Sequence, residues 1–163
     1  MPSLTRRPPQ PAVGARNETE AGQPPSLFAI SAAEWQVLLN SRPNLLLVGT
    51  RSATDATLRA LTPHLQAPLC VWSGEPEVPL PLEDHGTLVL TELGALQAVQ
   101  QTRLFHWLDR IGRQVQVVSM TAQPLSSMVE RGEFRADLYY RLNIMRFEVP
   151  PAAKSERTSA RSS

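Results

Sequence analysis

The segment Gly132–Ile144, which reads GEFRADLYYRLNI, places two arginines among acidic, aromatic and apolar residues. A guanidinium group pairs with anionic partners, so the chemistry of this segment depends on Arg135 and Arg141. Positions six residues apart lie about 240° apart around a regular helix. We therefore expect at least one of the two arginines to lie at a helix end or to make a separate contact. The alternative is that both form local salt bridges with Glu133 or Asp137.

The rest of the chain predicts the elements that position this segment. Apolar runs predict five strands, which we place at Asn44–Gly49, Pro68–Trp72, Gly86–Leu90, Val115–Ser119 and Ile144–Val149. Four helical patterns separate the strands. The first begins with a capping box at Ser31–Glu34, followed by an apolar stripe of Trp35, Leu38 and Leu39. The others are apolar stripes of Leu58, Leu61 and Leu65 within residues 52–65, of Leu104, Trp107, Leu108 and Ile111, and, in the arginine segment, of Phe134, Leu138 and Leu142, which we expect to be its buried side. This alternation indicates an α/β fold with a five-stranded, mostly parallel sheet flanked by helices.

Composition restricts the class of protein. The 163 residues can form one domain with a real core, and the net charge of +1 gives no basic field for gripping nucleic acid or a membrane. The single cysteine, Cys70, excludes a disulfide framework, and the three histidines show no ligand spacing, so we expect no metal site. No apolar stretch approaches the roughly 20 residues of a membrane helix, and the N-terminus lacks the apolar region of a secretory signal. By default we expect a cytoplasmic location.

The two ends of the chain differ from its middle. Residues 1–26 are rich in proline, arginine, glycine and polar residues, and residues 151–163 read PAAKSERTSARSS. Neither stretch has a periodic apolar pattern to bury, so we expect a disordered leader and a disordered tail. The folded domain is therefore expected at residues 27–150.

Three stretches occur in an order that carries a resemblance. They are GTLVLTELGAL, VQVVSMTAQPL and the arginine segment followed by EVPP. Together they resemble the sigma-54 interaction domain, the AAA+ ATPase module of bacterial enhancer-binding transcription activators, over about residues 44–151. The resemblance implies an AAA+, P-loop-like core that forms a ring, binds ATP between subunits and remodels the sigma-54 polymerase. It also implies that Arg135 and Arg141 hold the arginine-finger positions, which reach the nucleotide of a neighbouring subunit.

The resemblance places the phosphate loop at residues 49–56, which read GTRSATDA. A working loop needs glycines whose N–H groups wrap the phosphates, a lysine that neutralises them and a hydroxyl for Mg²⁺. Gly49 is retained, Ser52 and Thr54 stand at the other glycine positions, and Asp55 stands at the lysine position. A carboxylate repels phosphate oxygens, and Arg51 compensates for it only in part. Alternatively, Ser52 and Asp55 form an ordinary helix start.

Of three later positions of the nucleotide site, two differ in their chemistry from the family. Thr91 stands at the position of the family's Mg²⁺-coordinating aspartate, and Glu92 keeps the position of the water-activating glutamate as a residual general base. Ala122 replaces the asparagine that senses the γ-phosphate. We therefore expect no ATP hydrolysis and no cofactor, with ATP and Mg²⁺ implied by the family resemblance alone.

The sequence also lacks recognisable counterparts of the family's segments that contact sigma-54 and DNA. Only Ser73–His85 fills the interval that carries the family's GAFTGA loop, which touches sigma-54. Arg110 to Val115 links helix and strand directly, where the family has a hairpin. Too few residues follow EVPP for a helical lid or a helix-turn-helix. We therefore expect neither contact with sigma-54 through that loop nor direct binding to DNA.

Three functional hypotheses remain from the sequence. The preferred one is a non-enzymatic regulatory module, a pseudo-ATPase that docks on AAA+ activator subunits or on a signalling partner. The second is a weak ATP-binding or ATP-hydrolysing transcription regulator that uses Glu92, Arg135 and Arg141. The third is an inactive α/β scaffold.

Overall fold

A single parallel sheet forms the centre of the molecule. The computed structural model describes residues 30–112 and 114–151, so the expected leader and tail lie outside the described residues, apart from Pro151. The strands are β1 (Leu45–Val48), β2 (Leu69–Trp72), β3 (Thr87–Leu90), β4 (Gln116–Thr121) and β5 (Met145–Glu148). Their order across the sheet is β2-β3-β4-β1-β5, and every neighbouring pair is parallel. The expected α/β fold with five parallel strands is confirmed.

The helices cover both faces of the sheet. They are α1 (Ala32–Ser41), α2 (Arg51–Leu61), α3 (Ala98–Ile111), α4 (Leu125–Glu130) and α5 (Ala136–Leu142), with short 3₁₀ turns at Thr62–His64 and Leu93–Ala95. Helix α4 has no counterpart in the sequence prediction. None of the helices in the described part of the chain is long and apolar enough to cross a membrane.

Two apolar clusters, one on each face of the sheet, hold the helices in place. Successive side chains of a strand point to opposite faces. Leu45 and Leu47 of β1 therefore join one cluster with residues of α1 and α2, while Leu46 joins the other with residues of α3, α4 and α5. The second cluster includes Phe134, Leu138 and Leu142, each at most 3% exposed. The predicted buried side of the arginine segment is therefore correct.

Helix starts show one correct and one wrong prediction. At α1, Ser31 and Glu34 form the expected capping box: the Glu34 N–H donates to the Ser31 hydroxyl at 3.2 Å, and the Ser31 N–H donates to the Glu34 carboxylate at 2.7 Å. The expected start of α2 at Ser52 is wrong. The helix begins at Arg51, and Thr50 caps it by accepting the Ala53 N–H at 3.4 Å. Thr50 has a non-helical backbone, at φ −59° and ψ 153°, and directly precedes the first helical residue, which is the position of an N-cap.

The link between β2 and β3 is short and packed onto α3. It contains no helix or strand between Trp72 and Thr87. The Gln100 side chain of α3 donates to the Pro76 carbonyl at 2.8 Å, and the Trp107 indole N–H donates to the Pro81 carbonyl at 3.2 Å. The expected direct connection after α3 is also present, since α3 ends at Ile111 and β4 begins at Gln116.

Candidate functional site

A cavity of about 380 Å³ lies at the carboxyl ends of β1, β3 and β4. This edge of an open parallel sheet is where such folds bind their ligands. The structure brings six residues singled out from the sequence to this cavity, two of which, Arg51 and Thr54, lie on α2. The other four are Gly49, Thr91, Glu92 and Ala122. Asp55 does not line the cavity, and neither do Arg135 and Arg141.

The connection from β1 to α2 consists only of Gly49 and Thr50. Gly49 donates its N–H to the Thr121 carbonyl at 3.0 Å, and a Cβ at Gly49 would lie 2.7 Å from the Val149 carbonyl oxygen. Glycine is therefore required here because the chain after β5 passes against it. This packing requirement explains the one retained glycine without any role in binding phosphate.

Helix α2 begins at Arg51, so the residues aligned with the phosphate loop form a helical turn in place of an open loop. Its Thr54 N–H donates to the Thr50 carbonyl at 2.9 Å, as in any α-helix. The Thr54 hydroxyl turns back to the Thr50 and Arg51 carbonyls, at 3.1 Å from each. A phosphate loop is a cradle of free N–H groups, whereas this segment is a capped helix start.

Charges at the cavity are paired with one another. The Arg51 guanidinium donates to the Glu92 carboxylate and lies 3.9 Å from the Asp55 carboxylate. Arg51 therefore bridges the two acids, and Asp55 lies on the exposed side of α2. Glu92, at the expected general-base position, is held by a cation from the same chain.

The remaining positions of the nucleotide site serve the fold. The Thr91 hydroxyl donates to the Trp72 carbonyl at 3.0 Å and lies 3.1 Å from the Ser73 hydroxyl, so it joins the ends of β2 and β3. Ala122 offers the cavity no polar side-chain atom. Within residues 30–112 and 114–151, no group of three His, Cys, Asp or Glu side chains could hold a metal ion. The residues present do not fit a Mg²⁺–nucleotide complex.

The arginine segment forms a second candidate site, on α5 and the facing side of α3. Arg135 is the N-cap of α5, with extended backbone at φ −66° and ψ 126°, and Arg141 lies in the last turn. This confirms that one of the two arginines lies at a helix end. Because Arg135 precedes the first helical residue, both side chains can reach α3.

Each of the two arginines has its own carboxylate partner. Arg135 makes a bidentate pair with Asp137, through Nη2 at 2.8 Å and Nε at 3.0 Å. Arg141 donates from Nη2 to Asp109 of α3 at 2.7 Å. The alternative, in which both arginines pair with Glu133 or Asp137, is therefore correct for Arg135 and wrong for Arg141. Glu133 pairs with neither of them, because its partner is Arg131.

Four residues of α3 that the sequence did not single out build this second site. The Phe105 ring centroid lies 4.7 Å from the Arg135 guanidinium carbon and 5.2 Å from that of Arg141. Gln101 is buried; it accepts the Arg135 N–H at 2.9 Å and donates to the Glu133 carbonyl at 3.0 Å. The others are Thr102, which accepts from Arg135 Nη1 at 3.1 Å, and Asp109. Their spacing of three and four residues marks one helix face, but no sequence signal connects that face to α5.

The pair of Arg135 and Asp137 shifts both ionisations in the expected directions. The hydrogen bond from Arg135 lowers the pKa of the Asp137 carboxyl below its ordinary value, and the same bond raises the pKa of Arg135. Both side chains are at least one third exposed, so water screens the pair and it contributes little to the stability of the fold.

The strand order of the parallel sheet, with helices on both faces, defines the class of fold, a P-loop NTPase-like core of the AAA+ type. The fold is similar to that of NtrX from Brucella abortus solved in complex with ATP, with a TM-score of 0.60 and 20% identity over 82% of this chain and 38% of that one. A family model for the sigma-54 interaction domain matches residues 69–152, more than half of the chain. The chain therefore belongs to the sigma-54 interaction domain family.

Curated relatives are bacterial regulators that are much longer than the aligned part. The chain is 40% identical over 87 residues to a Nif-specific regulatory protein of Azotobacter vinelandii, which covers 47% of this chain and 16% of that protein. It is 36% identical over 77 residues to the HTH-type transcriptional regulatory protein TyrR of Enterobacter agglomerans, covering 40% of this chain and 15% of that protein. The matched part thus spans less than a fifth of either relative.

Proposed function

We propose that this chain is a non-enzymatic regulatory module of transcription, a pseudo-ATPase that docks on AAA+ activator subunits. The carrying observation is the contrast between its two candidate sites. Helix α2 begins immediately after Gly49 and Thr50, where a phosphate loop would need open backbone. The arginine site, by contrast, keeps Arg135 and Arg141 at the surface with their guanidinium groups fixed on one ring.

The proposed partner is a complete AAA+ subunit that holds its own nucleotide. Arginine side chains that reach across an interface stabilise charge on a neighbour's phosphates. Tyr140, next to Arg141 in the sequence, and Ile144, three residues after it, are 69% and 59% exposed and offer apolar contact area for such an interface. The relatives named above are regulators, which supports a setting in bacterial transcription and a cytoplasmic location.

The proposal limits which other contacts the module makes. The link between β2 and β3 packs on α3 and has no projecting loop of the GAFTGA kind, so we propose no contact with sigma-54 through it. We also propose no direct binding to DNA. The module itself is proposed to be one domain at residues 27–150.

Mixed assemblies test this function. The rate of ATP hydrolysis by a complete activator of the same host should change severalfold when the wild-type chain is added, and the two proteins should co-purify. The Arg135→Ala, Arg141→Ala double variant should lose the effect. Arg146→Ala is the matched control, because Arg146 is as exposed as Arg141 and also pairs with one carboxylate, that of Glu148 at 2.8 Å. Absence of both binding and rate change for the wild-type chain would remove the proposal and leave a scaffold without activity.

A second candidate function, weak ATP hydrolysis, is favoured by one observation. The cavity persists at the nucleotide position and Glu92 still lines it. Phosphate release by the chain alone, compared with a Glu92→Gln variant, tests this candidate. Turnover that depends on Glu92 would favour it, and equal background rates for both proteins would exclude it.

A further inference from the structure

The two arginines of the second site are held by one ring and neutralised by two carboxylates. Arg135 and Arg141 both place their guanidinium carbons near the Phe105 ring centroid, at 4.7 and 5.2 Å. Asp137 and Asp109 each accept hydrogen bonds from one of them. We call this group of five side chains the arginine cage. Its formal charge is zero, although it contains two preorganised guanidinium groups.

The ring restricts where the arginines can go. An arginine side chain loses considerable rotamer entropy when it is fixed in one conformation. The favourable stacking of its guanidinium group on an aromatic face offsets part of that loss. Phe105 is half-buried against the core, so the ring itself is held by packing. The buried Gln101 fixes the backbone at Arg135 from the same helix. Two residues of α3, Phe105 and Gln101, therefore fix the positions of the arginines.

The carboxylates, in contrast, are exchangeable. The side chain of Asp109 is 63% exposed and that of Asp137 is 47% exposed, and ion pairs so accessible to water are weak. A polyphosphate group carries more negative charge and more acceptor oxygens than a carboxylate, and it forms stronger charge-assisted hydrogen bonds with arginine. Such a group can replace both acids when it is presented at high local concentration.

We propose that Phe105 is a positioning residue for both arginines, and that Asp109 and Asp137 are displaceable counter-ions. The two aspartates stay paired with the arginines until a docked subunit presents a polyphosphate group, which then takes their place. This inference depends on the proposed function for the identity of that subunit. The cage itself is a property of this chain and can be tested without any partner.

The test is a titration of the full chain with sodium tripolyphosphate at low ionic strength, followed by the Nε–H NMR signals of Arg135 and Arg141. Asp109→Asn and Asp137→Asn should each tighten binding by roughly two- to fivefold, the range that exposed ion pairs provide. Glu148→Gln, which frees the matched Arg146, should leave the signals of the cage arginines unchanged. Unchanged affinity in both aspartate variants, or no binding by their double variant, would overturn the role of the counter-ions.

A second comparison tests the ring. Phe105→Leu should remove the upfield ring-current shift of both Nε–H signals and weaken tripolyphosphate binding to the double aspartate variant, while Phe105→Tyr should retain both. Far-UV circular dichroism checks that the variants fold, and the tyrosine variant gives the answer if leucine is not tolerated. Equal shifts and affinities for leucine and phenylalanine would overturn the positioning role. Because no partner is present, this result is separate from the mixed-assembly rates that test the proposed function.

Discussion

The cavity at the strand ends and the arginine cage use arginine in opposite ways. At the cavity, Arg51 reaches across to Glu92 and thereby neutralises a group that a nucleotide site needs free. At the cage, Arg135 and Arg141 pair with Asp137 and Asp109, which stand outside the positions of the nucleotide site. The comparison teaches that an arginine is available to another molecule only if its internal partner can be replaced.

The two regions also differ in how their backbone is fixed. The cavity side depends on a tight strand-to-helix connection at Gly49, whereas the cage depends on a buried apolar side under α5 and on Gln101 of α3. Each dependence can be broken separately, and the expected effects on stability differ in size.

Removal of the buried side of α5 should have the largest effect. Leu138 is fully buried, so Leu138→Ala should lower the free energy of unfolding by about 2–5 kcal/mol, through lost burial and the cavity left behind. Tyr140→Ala on the exposed side of the same helix should change it by only about 0.5 kcal/mol or less. Urea unfolding followed by circular dichroism measures both. Similar losses for the two variants would mean that α5 is not packed as described.

A smaller loss is expected at the tight connection beside the cavity. Gly49→Ala places a Cβ 2.7 Å from the Val149 carbonyl oxygen, and such overpacking should cost about 1–3 kcal/mol. Gly94 lines the same cavity, but a Cβ there would make ordinary contacts with Met128, at 3.5 Å from Sδ and 3.9 Å from Cε. Gly94→Ala therefore serves as the control. If both variants unfold at the same urea concentration as the wild type, Gly49 is not required by packing and its retention needs another explanation.

The smallest expected effect is a change in the pKa of Asp137 in the arginine cage. The hydrogen bond from Arg135 lowers the pKa of Asp137, so the pair contributes its small stabilisation at neutral pH and loses it as the pH falls through that lowered pKa. Arg135→Gln should raise the NMR titration midpoint of Asp137 towards that of an ordinary aspartate. Arg131→Gln should instead raise the midpoint of Glu133, which Arg131 holds low, and leave Asp137 unchanged. A midpoint of Asp137 that ignores Arg135 would contradict the bidentate pair.

The strands were largely predictable because a parallel sheet covered on both faces leaves continuous apolar runs in the sequence. Each observed strand lies within or overlaps its predicted run, as at Leu45–Val48 within Asn44–Gly49. Helix α4 was missed because six residues are too few to show a helical period. The start of α2 was misplaced because Ser52 and Thr50 are both good caps, and only the strand's end at Val48 decides between them.

The candidate sites were predictable in residue type but not in contacts. Resemblance to the family pointed to Gly49, Thr54, Thr91, Glu92 and Ala122, which lie together at one cavity. It also pointed to Ser52 and Asp55, which do not line that cavity. No pattern indicated that Phe105 would lie under both arginines. Helix α3 ends at Ile111 and α5 begins at Ala136, so 24 residues separate them and they meet only through the fold.

Calorimetric titration of the chain with Mg²⁺ and ATP tests most directly whether it lacks a nucleotide site of its own. We expect no saturable heat at submillimolar ATP, and we expect the same for Asp55→Lys, because restoring a positive charge does not open the capped first turn of α2. Saturable binding by the wild-type chain in the micromolar range, lost on mutation of Arg51 or Glu92 at the cavity, would contradict the account.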